Sequence, residues 1–337
     1  MKYIYELDGV RALSILAVLA AHLLPLGPSW MDLNFSSGLL GMSLFFALSG
    51  FLITNFLYQT PDRIAPFFIR RSMRILPLLW VYGFIVAVLI YNRWDSFGAI
   101  VTFTLNYRDA QILPGLSHLW SICVEFHFYL FIGLLIWAFG RRGFWAVPVV
   151  FLIILLLRMD LGATSNIRTH LRVDEIFAGS LAALLWQNRD HGWTRRLYHV
   201  IGKGFWLWFA LLLLSCHRSM EGLMYFRPLF GFMVLTALLD HQEGWLRRFL
   251  RWNVFTYIAG ISYALYIWHP LFRLGWLGEQ GSKVFFYLVK RPIAIFLTFV
   301  VAHISTNTLE RYFMNLGRRI EKRVSPPSSS PLPESRG

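Results

Sequence analysis

Two polar side chains interrupt the apolar run RALSILAVLAAH: Arg11 and His22. On a helix, eleven steps bring the second about 20° past three full turns from the first, and roughly 16 Å further along the axis. One helix face would then carry a permanent cation near one end and a titratable imidazole about half a bilayer away. That pairing can hold an anionic group at one point and move a proton at another.

Other residues fit the same scheme. FFIRRSMRILP supplies Arg70, Arg71 and Arg74, with Arg71 and Arg74 three apart on one helical face. With Arg11, they form forks suited to the phosphates of a soluble ligand; the plainer role is an anchor on lipid head groups. SHLWSICVEFHFYL places His118 at an interface and Glu125 deeper in an apolar run. A carboxylate there needs a cation or a reacting proton as partner, and His22 lies at an overlapping depth. LRVDEIFAG adds Arg172, Asp174 and Glu175; LSGFLIT adds Ser49; ISYALYIWHPLF adds Tyr263 and His269. Each has an ordinary alternative: a helix cap before Pro270 for His269, a helix-contact position for Ser49, and pairing with Arg172 for Asp174.

The chemistry these residues suggest is transfer of an activated group from a phosphorylated cytosolic carrier to an acceptor reached from the membrane or its outer face. His22 would act as general base or carry the group covalently, with Glu125 orienting or charging the imidazole. No metal is expected, because His22, His118, His269 and Glu125 lack a close ligand pair such as HxxxH.

These residues must be positioned by a membrane-embedded scaffold. Over the 337 residues, 56% are hydrophobic and only 15% charged, whereas soluble domains carry about 25% charge. The net charge of +14 comes from short basic clusters between apolar runs, which fits the positive-inside rule and argues against nucleic acid as a partner. With only Cys123 and Cys216, a disulfide scaffold and a thiolate metal cluster are excluded.

Ten apolar stretches approach the crossing length, at about 10–26, 38–58, 74–91, 117–139, 144–160, 171–187, 204–217, 223–240, 254–275 and 284–308. The fold class expected is all-α, a polytopic integral membrane protein of about ten transmembrane helices. A cytoplasmic N-terminus puts 21 of the 32 Lys and Arg residues inside, and an even number of spans brings the C-terminus to the same side. MKYIYELDGVRA has acids where a signal peptide is basic, so the first stretch is expected to be a retained span. Residues 1–323 would form one transmembrane domain, and 324–337, rich in Pro and Ser, a disordered cytoplasmic tail.

In order along the chain, ELDGVRALSILAVLAAH, LSGFLIT, FFIRRSMRILP, HLWSICVEFHFYL, LRVDEIFAG and ISYALYIWHPLF resemble the motifs of the acyltransferase-3 family, polytopic membrane proteins that O-acylate carbohydrates and related hydroxyl compounds. The resemblance implies that Arg11 and His22 are the essential first-span pair, with His22 the catalytic base and acetyl-CoA or another acyl-CoA the co-substrate, no cofactor being tightly bound. It further implies that Arg71 and Arg74 belong to the donor site with Arg11, and that Glu125 is the first of two acids commonly found there. This chain departs at the next position, where Phe126 precedes His127. His118, Asp174, Glu175, His269, Ser49 and Tyr263 are the acceptor-site candidates. The partners expected are acyl-CoA, a carbohydrate or glycolipid acceptor and membrane lipid, in the plasma (inner) membrane. A transporter or flippase using the same buried charges would call for internal symmetry, and none is visible; a noncatalytic scaffold would leave the buried Glu125 unexplained.

Overall fold

A computed structural model describes residues 3–108, 112–240 and 244–324. Within them the regular structure is entirely helical, with no strand. The first half comprises α1 (Tyr5–Leu23), α2 (Leu33–Gln59), α3 (Ile64–Gly83, continued by a π-helical turn Phe84–Ile90), α4 (Trp94–Val101), α5 (Trp120–Phe139), α6 (Ala146–Asp160) and α7 (Asp174–Gln187). The second comprises α8 (Gly192–Gly202), α9 (Phe205–Leu214), α10 (Glu221–Met224), α11 (Arg227–Asp240), α12 (Trp245–Leu250), α13 (Asn253–Trp268), α14 (Lys283–Phe285), α15 (Arg291–Ser305) and α16 (Arg311–Val324).

Among the described residues, four helical stretches are long and apolar enough to cross a membrane: Ser29–Gln59, Ile64–Ile90, Ser117–Asp160 and Lys283–Val324. Six are if α8 with α9, bent by 69°, and Arg218–Met224 with α11, bent by 75°, each count as one. This is a multi-pass membrane protein, but the expectation of about ten spans is met only to that extent. The apolar stretches do form helices, yet α7, α9, α11 and α13 have 14, 10, 14 and 16 residues. At 1.5 Å per residue these reach about 15 to 24 Å, against a hydrocarbon core of about 30 Å. α1 also holds Glu6, Asp8 and Arg11 in its 19 residues. Leu134 and Trp137 on α5, Leu152 and Ile153 on α6, and Phe296 on α15 are exposed, as lipid-facing positions should be. The expected tail lies outside the described residues except for Val324, which ends α16.

At the centre, α2 packs against α1 and α7, and α1 against α13. Small residues set how closely α2 and α7 approach. A Cβ on Gly50 would lie 1.8 Å from the Ile176 carbonyl oxygen, and one on Gly179 would lie 1.9 Å from that of Ala47. Gly41 plays the same part against α1, where a Cβ would sit 2.6 Å from the Ser14 carbonyl oxygen. With little hydrophobic drive between helices in lipid, such backbone contact supplies much of the packing energy.

Candidate functional site

Four central helices, α1, α2, α5 and α13, line two cavities at successive heights. The first, about 40 Å³, is bounded by Arg11, Phe45, Ser49, Glu125, Tyr129, Ser262 and Tyr263 from these helices, and by Arg71, Arg74 and Ile75 from α3. The second, about 610 Å³, contains His22 and Val18 of α1, Asn34 to Met42 of α2, Ser117, His118 and Trp120 at the start of α5, and Tyr266 of α13. The segment from Ser165 to Ile167 and Arg172 close its other side. Phe45 of the arginine cavity stacks on Tyr266 of the histidine cavity, with centroids 6.4 Å apart.

In the arginine cavity, Glu125 Oε1 accepts hydrogen bonds from Ser49 Oγ and from Tyr129 Oη, the latter at 2.5 Å. The Arg71 guanidinium lies 5.5 Å from the Tyr129 ring centre. Tyr263 donates to the Ile75 carbonyl at 2.6 Å, fixing α13 to α3. Among the described lining residues three guanidinium groups thus face one carboxylate, while Asp8 lies near enough to Arg11, and Glu310 to Arg74, to interact with them electrostatically. The space admits a few waters or one small group.

The histidine cavity is organised by a chain of hydrogen bonds. His269 Nδ1 lies 2.8 Å from the Tyr266 carbonyl oxygen, which can only accept, so this nitrogen carries the proton. Neutral His269 then presents Nε2 as an acceptor. His22 Nδ1 lies 2.9 Å from it and donates, which leaves His22 Nε2 with a free lone pair. The two imidazoles are nearly parallel, with centroids 5.0 Å apart. His269 is fully buried, so its orientation is set by packing. Neither ring nitrogen of His118 finds a hydrogen-bond partner among the described residues, and its ring lies 5.3 Å from that of His269. Asn34 holds the end of α1 beside His22, donating to the Ala21 carbonyl at 2.8 Å and the Leu24 carbonyl at 2.6 Å.

The expectation that Glu125 orients His22 is corrected by this geometry. Glu125 belongs with Ser49 and the arginines, one cavity away, and His269 is the partner of His22. Equal depth along different helices did not mean contact, because the helices present those residues to different neighbours. Ser49 and Tyr263, taken as acceptor-site candidates, also line the arginine cavity. Arg11, Arg71 and Arg74 are brought together as their spacing suggested.

Asp174 and Glu175 line neither cavity. Asp174 pairs with Arg158 of α6, and not with Arg172, the alternative partner named for it. Glu175 lies 2.8 Å from Arg227 of α11 and 3.2 Å from Arg172. Sequence reading missed Arg158 and Arg227 as partners, and Tyr129, Asn34 and Tyr266 as parts of the cavities. One signal was available: two acids in an apolar stretch require cations, and Arg158 and Arg227 were at hand in neighbouring stretches. No group of three or more His, Cys, Asp or Glu side chains suited to a metal ion occurs among the described residues. Cys123 and Cys216 are buried free thiols.

Residues 4–306 match a protein-family profile described as an acyltransferase domain, Acyl_transf_3. The chain is 26% identical to the "Putative peptidoglycan O-acetyltransferase YrhL" of Bacillus subtilis, over 96% of this chain and 57% of that protein. Similarity to the "Putative O-acetyltransferase SACOL0978" of Staphylococcus aureus is 25%, over 94% and 58%. Against the peptidoglycan O-acetyltransferase OatA of Listeria monocytogenes it is 27%, over 81% and 50%. The chain therefore spans little more than half the length of these curated relatives. No solved structure matches it.

Proposed function

The chain belongs to the acyltransferase-3 family, and from that premise we propose that it is a membrane O-acyltransferase moving an acyl group, acetyl foremost, from acyl-CoA to a hydroxyl of a cell-envelope carbohydrate. The relatives named as peptidoglycan O-acetyltransferases support a glycan acceptor of that kind. In this reading residues 1–323 form one transmembrane domain of about ten helices in the plasma (inner) membrane, with both termini cytoplasmic.

The observation that carries the proposal is the tautomer of His22. Its Nδ1 proton is committed to His269, so Nε2 is available to take the proton of an acceptor hydroxyl in the histidine cavity. The hydroxyl oxygen attacks the thioester carbonyl, the C–S bond breaks, and the leaving thiolate recovers the proton from His22 Nε2, giving acyl ester and free thiol. Through this step the Nδ1 hydrogen bond to His269 is retained, which stabilises the imidazolium as it forms. General-base assistance of this kind contributes about 10²- to 10⁴-fold.

Arg11, Arg71 and Arg74 would hold the donor phosphates. A cavity of about 40 Å³ does not admit a nucleotide, so the bulk of the donor would stay at its half-buried mouth with only the thin pantetheine arm entering. Arg11 and His22 are separated by roughly 16 Å of helix rise, a distance that an extended arm spans once Phe45 and Tyr266 part.

Purified protein incubated with acetyl-CoA and envelope glycan tests the reading through thiol release and acceptor mass gain. His22→Ala should lower transfer about 10³-fold in protein that is still inserted and elutes as wild type does. Full transfer by that variant would remove His22 from the chemistry. Accumulation of the glycan without covalent change would replace the enzyme with a transporter.

A further inference from the structure

Behind the histidine cavity lie five buried charges, three guanidinium and two carboxylate groups. Arg158 and Asp174 form a closed pair: Arg158 also donates to the carbonyls of Ala163 at 3.1 Å, Thr164 at 3.1 Å and Met224 at 3.3 Å. The remaining three do not balance. Glu175 is shared by Arg227 at 2.8 Å and Arg172 at 3.2 Å, and its Oε1 also accepts from Ser43 Oγ at 3.0 Å. One carboxylate serves two cations, so the triad carries a net positive charge with every member nearly inaccessible to solvent.

Of the two cations, Arg172 lines the histidine cavity. It is 2% exposed, and its Nε makes no hydrogen bond among the described residues. Its guanidinium carbon sits 5.5 Å from the ring centre of Trp120, which lines the same cavity. No Asp or Glu occurs among the described residues around that cavity. A cation that shares its one carboxylate with a second guanidinium is only partly compensated, and in a low-dielectric setting the surplus charge is costly and attracts an anion strongly.

We propose that Arg172 forms an anion subsite within the acceptor cavity, so that the preferred acceptor carries a carboxylate or phosphate near the hydroxyl that is acylated. The neutral polar side chains of Ser117, Ser165 and Asn166 around the same space suit the uncharged hydroxyls and amides of the rest of a sugar. The subsite rests on reading this cavity as the acceptor site of an O-acyltransferase. It adds the charge of the substrate to that reading.

The test compares acceptors that differ only in charge. One pair is an N-acetylglucosamine–glucuronic acid disaccharide and its methyl ester; the other is N-acetylglucosamine 1-phosphate and N-acetylglucosamine. With purified wild-type protein and acetyl-CoA, kcat/KM for at least one anionic member should exceed that of its neutral partner about 100-fold, and the pair showing the preference identifies carboxylate or phosphate as the recognised group. Arg172→Gln should collapse that ratio toward one, and Arg172→Lys should restore part of it. A variant that only misfolds loses both members together and acyl-CoA binding too. Equal wild-type rates on both pairs would overturn the subsite and leave the transferase standing. No transfer to any acceptor, with the acids still bound more tightly than their neutral partners, would overturn the transferase and keep the subsite. Absence of both transfer and selective binding would overturn both.

Discussion

The two cavities are built from the same four helices and yet are chemically opposite. Around Arg11, Arg71 and Arg74, permanent charge crowds a space of about 40 Å³, and the one carboxylate is committed to Ser49 and Tyr129. Around His22, a space of about 610 Å³ is lined by apolar side chains such as Val18, Leu39 and Met42 together with two imidazoles, small polar groups and Arg172. The difference lies in what the neighbouring elements add: α3 contributes two guanidinium groups to the first, while Ser165, Asn166, Ile167 and Arg172 close and polarise one side of the second. A tight, strongly charged space suits holding one end of an anionic carrier, and a roomy space with a proton acceptor suits an acceptor molecule and its chemistry. In the proposed reading, separating donor binding from proton transfer along the helix axis would let each be optimised without desolvating the other's charges.

The largest effect that would break this division, after the loss of His22 itself, comes from its partner. His269→Ala frees the Nδ1 proton of His22 from its acceptor and should lower kcat about 100-fold with little change in donor KM; His269→Gln, whose carbonyl can accept that proton, should recover part of the loss. An unaltered kcat in His269→Ala would mean that the tautomer is set elsewhere. Steady-state rates at saturating acceptor read this directly.

Changes on the other side should separate in the opposite sense. Arg71→Ala or Arg74→Ala should raise the acyl-CoA KM about 10-fold while leaving acceptor KM close to wild type, as expected for loss of one charge-assisted hydrogen bond. Unchanged acyl-CoA affinity in both variants, measured by equilibrium binding, would return these residues to anchoring on lipid head groups.

The smallest expected effect reports on the shared scaffold. Gly50→Ala must push α2 away from the Ile176 carbonyl and should cost about 1 to 3 kcal/mol, seen as a lower midpoint of thermal unfolding in detergent. Because α2 lines both cavities, donor KM and kcat should worsen together, in contrast to the two selective variants above. A change in only one would show that the cavities are mechanically independent.

How much of this was legible beforehand differs between the two cavities. Arg71 and Arg74 share a face by their spacing, and the loop charges put Arg11 at the same end of its stretch, so a basic zone was legible from helix geometry, whereas the cavity in which the three meet came with the tertiary structure. The partner of His22 does not. His269 lies 247 positions away on α13, and its choice over Glu125 depends on the rotation of α5 and α13 about their axes, which apolar periodicity leaves open in helices buried on most sides. The pairing of Asp174 with Arg158, and not with Arg172, has the same cause.

By itself, then, the order of residues determined a helical membrane protein, the basic cluster near one end of the first helix and the titratable group near the other, because burial of apolar runs and the 3.6-residue repeat act locally. Only the tertiary structure decided which buried charges meet, which nitrogen of His22 is free, and that Arg172, beside the larger cavity, shares its carboxylate with Arg227. Those outcomes follow from helix rotation and from backbone approach at Gly50 and Gly179, which depend on many distant contacts at once.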